Sequence, residues 1–364
     1  MLKSYSEILT TIDNIDPLTY ARTRNQLSGA VTRLSPYISR GVITLPQVRD
    51  RLLVRHTARD CEKLIQELAW REYFQTVWAA RGDDIFSDIR FERDDWRHSG
   101  IVSAIKEANT GVAVFDAGVR ELYDTGYAHN HLRMWLASVS CNLAYAHWHS
   151  MGKWLYYHLI DGDLASNFLS WQWVAGTSIN KRYTVNQKLI NGCSEQSQVR
   201  TILTYDRDDM TTLPTPAVLL PWTPENLQTN YPVVEPLPSA VGDTVCLYTP
   251  WTLDPTWRAE QSAARRVLVI DPTWFDRYPV SDAVLAFIVA QGQLVIPQLE
   301  VHVGCVTDID GISDTVATYT RAHQTNTDWP AQFDPAPKLF PAVGGYYKSF
   351  FAYWKAVEKT SREN

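Results

Sequence analysis

The sequence predicts a mainly α protein, a helical bundle followed by a small α/β region. Three observations predict it. Over residues 1–200, apolar residues recur at helical spacing. Over residues 205–240, seven prolines replace that periodicity with a connector. After the connector, short β-like runs alternate with a helix-like stretch.

The clearest helical stretches are Cys61–Trp78, Val112–Tyr123 and Leu132–Trp148. Gly82, Gly100, Gly111, Gly126 and Gly152 read as breaks between helices. The connector carries Pro214, Pro216, Pro221, Pro224, Pro232, Pro236 and Pro238, and is expected to be irregular and laid over the surface. The β-like runs are Thr244–Tyr248, Arg266–Ile270 and Val301–Val306. Ser281–Gln291 reads as a helix between the last two, which makes a β-α-β rhythm. The aromatic tail, Gly344–Lys359, is expected to be helical and to pack back on the bundle. The expected domains are a helical domain over 1–204, the connector over 205–240 and the α/β region over 241–364.

A chain of 364 residues, 45% hydrophobic and 20% charged, can bury a full core without staples. Its five cysteines are scattered and lack a C-x-x-C pair, which argues against a disulfide framework or zinc site. No metal is expected, and a reducing cytoplasm is the expected location. The N-terminus lacks a signal-like apolar run, and no membrane span is expected. There is no G-x-G-x-x-G and no Walker A pattern. Net charge is −6, which alone argues against a nucleic-acid partner. The distribution argues the other way. Arg22, Arg24, Arg33, Arg40 and Arg49 share a stretch without an acidic residue, and Lys181, Arg182, Lys188 and Arg200 add a second basic stretch. Such stretches bind phosphate or are simply solvated.

Four segments carry candidate chemistry. In Asp161-Gly-Asp-Leu-Ala-Ser-Asn167, followed by Trp171-Gln-Trp173, a helix would place Asp163, Asn167 and Trp171 on one face. Trp173 would then point about 200° away from Trp171. The plain alternative is a capping Asp and two core tryptophans. In Glu67-Leu-Ala-Trp70-Arg71, three residues share a face, and Glu67–Arg71 can also be an ordinary helical ion pair. In Thr125–Met134, Asn130, Arg133 and Met134 share a face, and a buried Arg133 would need a carboxylate such as Asp161. In Val31-Thr32-Arg33-Leu34-Ser35-Pro36, two hydroxyls can cap a helix or meet a phosphate.

Together and in this order, these segments resemble the FAD-binding domain of the photolyase/cryptochrome family over roughly residues 17–190. The resemblance implies a helical domain that binds FAD. Tyr20, Thr32, Leu34, Ser35, Arg71, Arg133, Asp161, Asp163 and Asn167 match its cofactor positions. Asn167 would face flavin N5, and Arg133 would pair with Asp161. Val31 stands where a threonine is usual, so one phosphate-binding hydroxyl is missing. Glu67, Trp70, Asn130, Met134 and Trp173 match its lesion contacts, and asparagine at 130 is the form found with cyclobutane dimers. Trp171, Trp148 and Trp96 match the tryptophans that photoreduce the flavin. An arginine that contacts DNA beyond Trp173 is not matched. Asn186 stands near that place, with Lys181 and Arg182 close by in sequence.

The motifs begin almost at the N-terminus, and an α/β region follows rather than precedes them. The expectation is therefore a short, divergent photolyase without the usual N-terminal antenna domain. It would be a monomer acting on UV-damaged DNA, single- or double-stranded, with no membrane partner. The rival expectations are a cryptochrome-like light sensor and a flavin-free helical scaffold that binds nucleic acid.

Overall fold

The structure is a computed structural model. It describes residues 1–235, 237, 244–309, 312 and 317–363. In chain order come α1 (Tyr5–Asp13), α2 (Pro17–Thr23), α3 (Ser35–Ser39), α4 (Leu45–Arg55) and the long α5 (Ala58–Arg81). A short strand, β1 (Ile101–Val102), leads into α6 (Ser103–Lys106), α7 (Ala113–Thr125) and α8 (Asn130–Asn142). Next are α9 (Trp148–His158), α10 (Leu164–Ala175), α11 (Gln187–Cys193) and β2 (Trp222–Thr223), which pairs antiparallel with β1. The C-terminal part holds β3 (Thr244–Tyr248), β4 (Arg265–Ile270), α12 (Pro272–Arg277), α13 (Asp282–Val295) and β5 (Glu300–Val303). It ends with β6 (Ala317–Arg321), β7 (Gln332–Asp334) and α14 (Phe350–Glu363).

The chain forms two compact units. The first comprises residues 1–17, 32–72 and 228–364, and the second comprises residues 18–31 and 73–227.

In the first unit, five parallel strands lie in the order β5-β4-β3-β6-β7. The chain starts at the central strand, builds to one side and then crosses to the other. β3 and β4 are almost continuously buried, as parallel strands covered on both faces must be. Val245, Leu247, Val267 and Val269 pack with Val306, Ile309 and Trp329. The N-terminal helices belong to this unit. Capping boxes start α1 at Ser4/Glu7 and α4 at Thr44/Gln47. Gln291 on α13 exchanges two hydrogen bonds with the Lys3 backbone.

The expected runs appear with adjusted ends. β3 spans the whole of Thr244–Tyr248, and the Val301–Val306 run stops as a strand at Val303. Gly304, at φ 148°, turns the chain there. β6 carries the polar sequence Ala-Thr-Tyr-Thr-Arg and β7 has three residues, so neither announced itself by apolar alternation. Within the tail, Gly344–Ser349 precedes the helix, which starts at Phe350.

In the second unit, α8, α9 and α10 pack on one another. Two expectations need correction. Leu132–Trp148 is not one helix: α8 ends at Asn142, Tyr145 adopts φ 57°, and His147 caps α9. The turn is set by backbone geometry, which apolar spacing does not report. Gly152 is no break either, because it lies inside α9. Gly126 does end α7, in the left-handed conformation at φ 68°. The connector contains two 3-10 turns, Arg207–Thr212 and Ala217–Leu219, and the strand β2. Pro236 and Pro238 lie outside the described residues. No helix among the described residues is long and apolar enough to cross a membrane.

The tail is tied to α5 within the first unit. The buried carboxylate of Glu72 accepts the backbone N–H groups of Leu339 and Phe340 and the hydroxyl of Tyr353. Replacing Glu72 strands three donors at once. Glu72→Ala is therefore expected to lower stability by about 2–4 kcal/mol, measured by urea denaturation. It should also expose residues 339–349 to limited proteolysis. An unchanged cleavage pattern would show that Glu72 does not hold the tail.

Candidate functional site

In the second unit the site is organised by α10. Asp163 is its N-cap, with Oδ1 accepting the N–H of Ser166. Asp163 Oδ2 accepts the side-chain amide of Gln75, so both of its oxygens serve the protein. The helix ends at Gly176, φ 89°. Asn167 lies one turn into the helix, and its Nδ2 donates to the Gly152 carbonyl on α9 at 3.0 Å. That bond fixes which edge of the amide points away from α9.

Arg133 on α8 pairs with Asp161, as anticipated, at 2.7 Å. Its Nε also donates to the Ala128 carbonyl. The Asp161 side chain is only 2% exposed. One oxygen takes Arg133, while Oδ1 is buried with no hydrogen-bond partner among the described residues. A buried, half-satisfied carboxylate is costly unless a ligand completes it. At the exposed start of α8, Asn130 Nδ2 lies 3.7 Å from the Met134 sulfur. Tyr20 is buried on α2.

The tryptophans divide as their spacing implied. Trp171 is buried, whereas Trp173 is partly exposed and lies 5.5 Å from the Tyr183 ring. Gly152 explains how Trp171 fits. A methyl group there would touch both the Trp171 and Phe168 rings at 3.4 Å. Trp148, fully buried, stands one turn earlier on the same helix and donates its indole N–H to Asp88 at 2.6 Å. His147 lies between Trp148 and Trp96, with ring centres 5.6 and 5.0 Å away. The Arg93 guanidinium sits 3.7 Å above the Trp96 ring.

Sequence reasoning missed Gln172. It is fully buried, and its amide donates to the Ile85 carbonyl at 2.7 Å. Its oxygen accepts the N–H of Ile89 and the hydroxyl of Thr177. Asp88 was missed as well. A polar residue between two helix tryptophans was the available signal for Gln172; nothing local singles out Asp88.

In the first unit, α5 presents Glu67, Trp70 and Arg71. Arg71 donates to Ser39 Oγ at 3.0 Å. One face of Trp70 is covered by Phe350, stacked at 3.8 Å and 10°. Thr32 accepts the N–H of Leu34, and neither hydroxyl expected as a cap closes α3. Leu34 itself occupies the N-cap position.

The basic stretches are not continuous faces. Arg40 is wholly buried, and Arg49 bonds to Asp50 and the Leu339 carbonyl. For Arg49, the fold adds a distant acceptor, the Leu339 carbonyl, to its neighbour Asp50. Arg182 pairs with Asp95. Asn186 caps α11. Arg22, Arg33, Lys181, Lys188 and Arg200 are exposed.

Residues 64–233 match the family described as the FAD binding domain of DNA photolyase. This region is thus similar to the FAD-binding domains of photolyases and cryptochromes. A deoxyribodipyrimidine photo-lyase of Streptomyces griseus is 35% identical to the chain over 170 residues, 45% of this chain and 36% of that protein. A cryptochrome DASH of Gloeobacter violaceus is 31% identical over 176 residues, 45% of this chain and 34% of that protein. Among solved structures, a cryptochrome of Synechocystis sp. PCC6803 gives a TM-score of 0.48 at 24% identity, covering 52% of this chain and 43% of that one. The chain spans about a third of the length of the curated relatives it matches. The FAD-binding domain offers one direct test of fit. Asp161 Oδ1 is buried and available to a ligand N–H, which flavins carry.

Two predictions follow from the packing of α9. Gly152→Ala should be neutral or stabilising by up to about 1 kcal/mol, because a methyl reaches contact without overlap and improves helix propensity. Gly152→Val should cost about 1–3 kcal/mol through overpacking and alter the near-UV circular dichroism of the tryptophans. Equal stability of the two variants would show that Trp171 is not seated against this glycine.

The second concerns pH. Burial, then the Lys153 charge, depresses His149 from 6.5 to about 4. Burial, then Lys106, does the same to His158. Both are neutral when folded, so the unfolded chain binds more protons as pH falls below 6.5. Their contribution is complete above pH 6.5 and is lost progressively down to about 4. Urea midpoints measured across this window should fall with pH. His149→Gln should flatten the fall, and an unchanged slope would remove His149 as a cause.

Proposed function

We propose that the protein uses FAD and light to repair cyclobutane pyrimidine dimers in DNA. The observation that carries this reading is the content of the second unit. It holds a buried carboxylate with one oxygen unfilled, and also an exposed Asn130–Met134 pair and a partly exposed Trp173. The first group suits a flavin. The second suits a flipped-out pair of bases, for which a light sensor has no use. The relatives bear both photolyase and cryptochrome names, so the choice rests on these side chains.

FAD, when bound, supplies light absorption and the electron donated to the dimer. The chain's residues do the rest. Asp161 and Arg133 would hold the flavin ring, and Asn167 would face its reactive edge. Tyr20, Thr32, Leu34, Ser35, Arg71 and Asp163 carry the remaining cofactor positions. Asp163 does so while capping α10, so its part is chiefly to fix that helix. Trp171 and Trp148 would relay electrons inward.

Damaged bases leave the duplex cheaply, because their stacking and pairing are already weakened. Asn130 and Glu67 would hydrogen-bond the dimer, and Met134 would pack against it. Trp70 and Trp173 would stack it, each stacked base contributing roughly 1–3 kcal/mol. Because Phe350 covers one face of Trp70, a base must use the other face or displace Phe350. Exposed Arg22, Lys181, Lys188 and Arg200 would meet phosphates.

The test is blue-light illumination of the reduced protein with an oligonucleotide bearing one thymine dimer. Loss of the dimer is expected. Glu67→Ala and Asn130→His should each slow it roughly tenfold or more, about 1.4 kcal/mol or more of transition-state stabilisation, while flavin stays bound. Bound, photoreducible flavin without dimer loss would overturn repair in favour of a light sensor.

A further inference from the structure

We infer that Asp88 is the proton acceptor for Trp148 when Trp148 loses an electron, and that the hole is held there as a neutral indolyl radical. This rests on the relay role given to Trp171 and Trp148 above.

The geometry is specific. Trp148 is 0% exposed, so its indole cannot release a proton directly to water. Its N–H points at Asp88 Oδ1, 2.6 Å away. Asp88 is partly exposed and can pass a proton to solvent. Its position is fixed from both sides, because Gln172 holds the Ile85 carbonyl and the Ile89 N–H. Gln172 adjoins Trp171, so one helix places both the neighbouring tryptophan and the base's loop.

Trp96 is built the opposite way. Arg93 lies over its ring at 3.7 Å, and that guanidinium is only 6% exposed. A cation over a neutral indole is attractive, but a positive hole on the same ring turns the contact repulsive. Asp95 pairs with both Arg93 and Arg182, so one carboxylate faces two cations. The Trp96 indole nitrogen is buried with no hydrogen-bond partner among the described residues, so no base takes its proton. The hole therefore stops at Trp148.

The balance is complete. One electron passes from Trp148 to oxidised Trp171, whose own electron has gone to the light-excited oxidised flavin, the only oxidant required. One-electron oxidation makes the indole N–H strongly acidic. The N–H bond then breaks, its proton moves to Asp88 Oδ1, and its electron pair stays on the indole nitrogen. Return of the electron now needs return of the proton, which slows recombination.

Two measurements on Asp88→Asn test this. The first is NMR of the indole N–H of Trp148 without illumination, assigned with Trp148→Phe. Asp88→Asn should move that resonance upfield, because a charge-assisted hydrogen bond becomes a neutral one. The second is transient absorption of the flavin-loaded protein. Wild type should show a neutral tryptophan radical. Asp88→Asn should show the cation radical, decaying roughly tenfold faster or more. Asp88→Glu should restore the neutral form, which separates basicity from folding. A cation radical in wild type, or a neutral one of unchanged lifetime in Asp88→Asn, overturns the assignment. An unmoved NMR resonance overturns the hydrogen bond beneath it. A wild-type protein whose flavin photoreduces without any tryptophan radical instead overturns the relay reading, and this inference falls with it.

Discussion

The buried carboxamide of Gln172 is the constraint on which the second unit's site depends. A primary amide with no solvent must find partners for its donors and its acceptor, or the fold loses on the order of 1–3 kcal/mol for each group left unpaired. Here the donor meets Ile85 and the acceptor meets Ile89 and Thr177. Satisfying one side chain thereby ties α10 to the loop over 85–89 and to the turn after Gly176. Trp171 and Trp173 flank it on the same helix. The loop that carries Asp88 to Trp148 is thus held by a residue that has no part in the proposed flavin or DNA contacts.

Two nearby carboxylates show how the same residue type is used in opposite ways. Asp163 has both oxygens paired with protein donors and costs the fold nothing. Asp161 is equally buried, yet only one oxygen is paired. Native folds rarely retain such a group without return. Arg133 pairs with one oxygen, and the other has no donor among the described residues. The contrast separates a carboxylate that the protein satisfies from one it leaves half open, although they are two residues apart.

Much of this was legible in the sequence. The Arg133–Asp161 pair followed from the cost of burying a guanidinium alone. The divergence of Trp171 and Trp173 followed from 3.6 residues per turn. The central strands of the sheet were visible because burial on both faces makes them continuously apolar. What was hidden depended on contacts distant in sequence. Arg40 and Arg49 read as part of a basic face, but burial of Arg40 and the distant Leu339 carbonyl that Arg49 reaches come from the fold. Asp88 lies sixty residues from Trp148. Gly152 resembles a helix break until the Trp171 and Phe168 rings are seen packed close against it. β6 and β7 gain their strand character from pairing rather than from composition.

The aromatic residues assigned to the lesion illustrate the same division between local and distant causes. Helix spacing places Trp70 beside Glu67 and Arg71, but the covering of its ring by Phe350 comes from the far end of the chain, which Glu72 anchors. A stacked ring pair is stable without any ligand. Any base that displaces Phe350 gains only the difference between two stacking partners. Trp173, tilted at 34° to Tyr183 rather than stacked on it, gives up less by accepting a base. On the repair reading proposed above, Trp173 would therefore give up less than Trp70 in accepting a base.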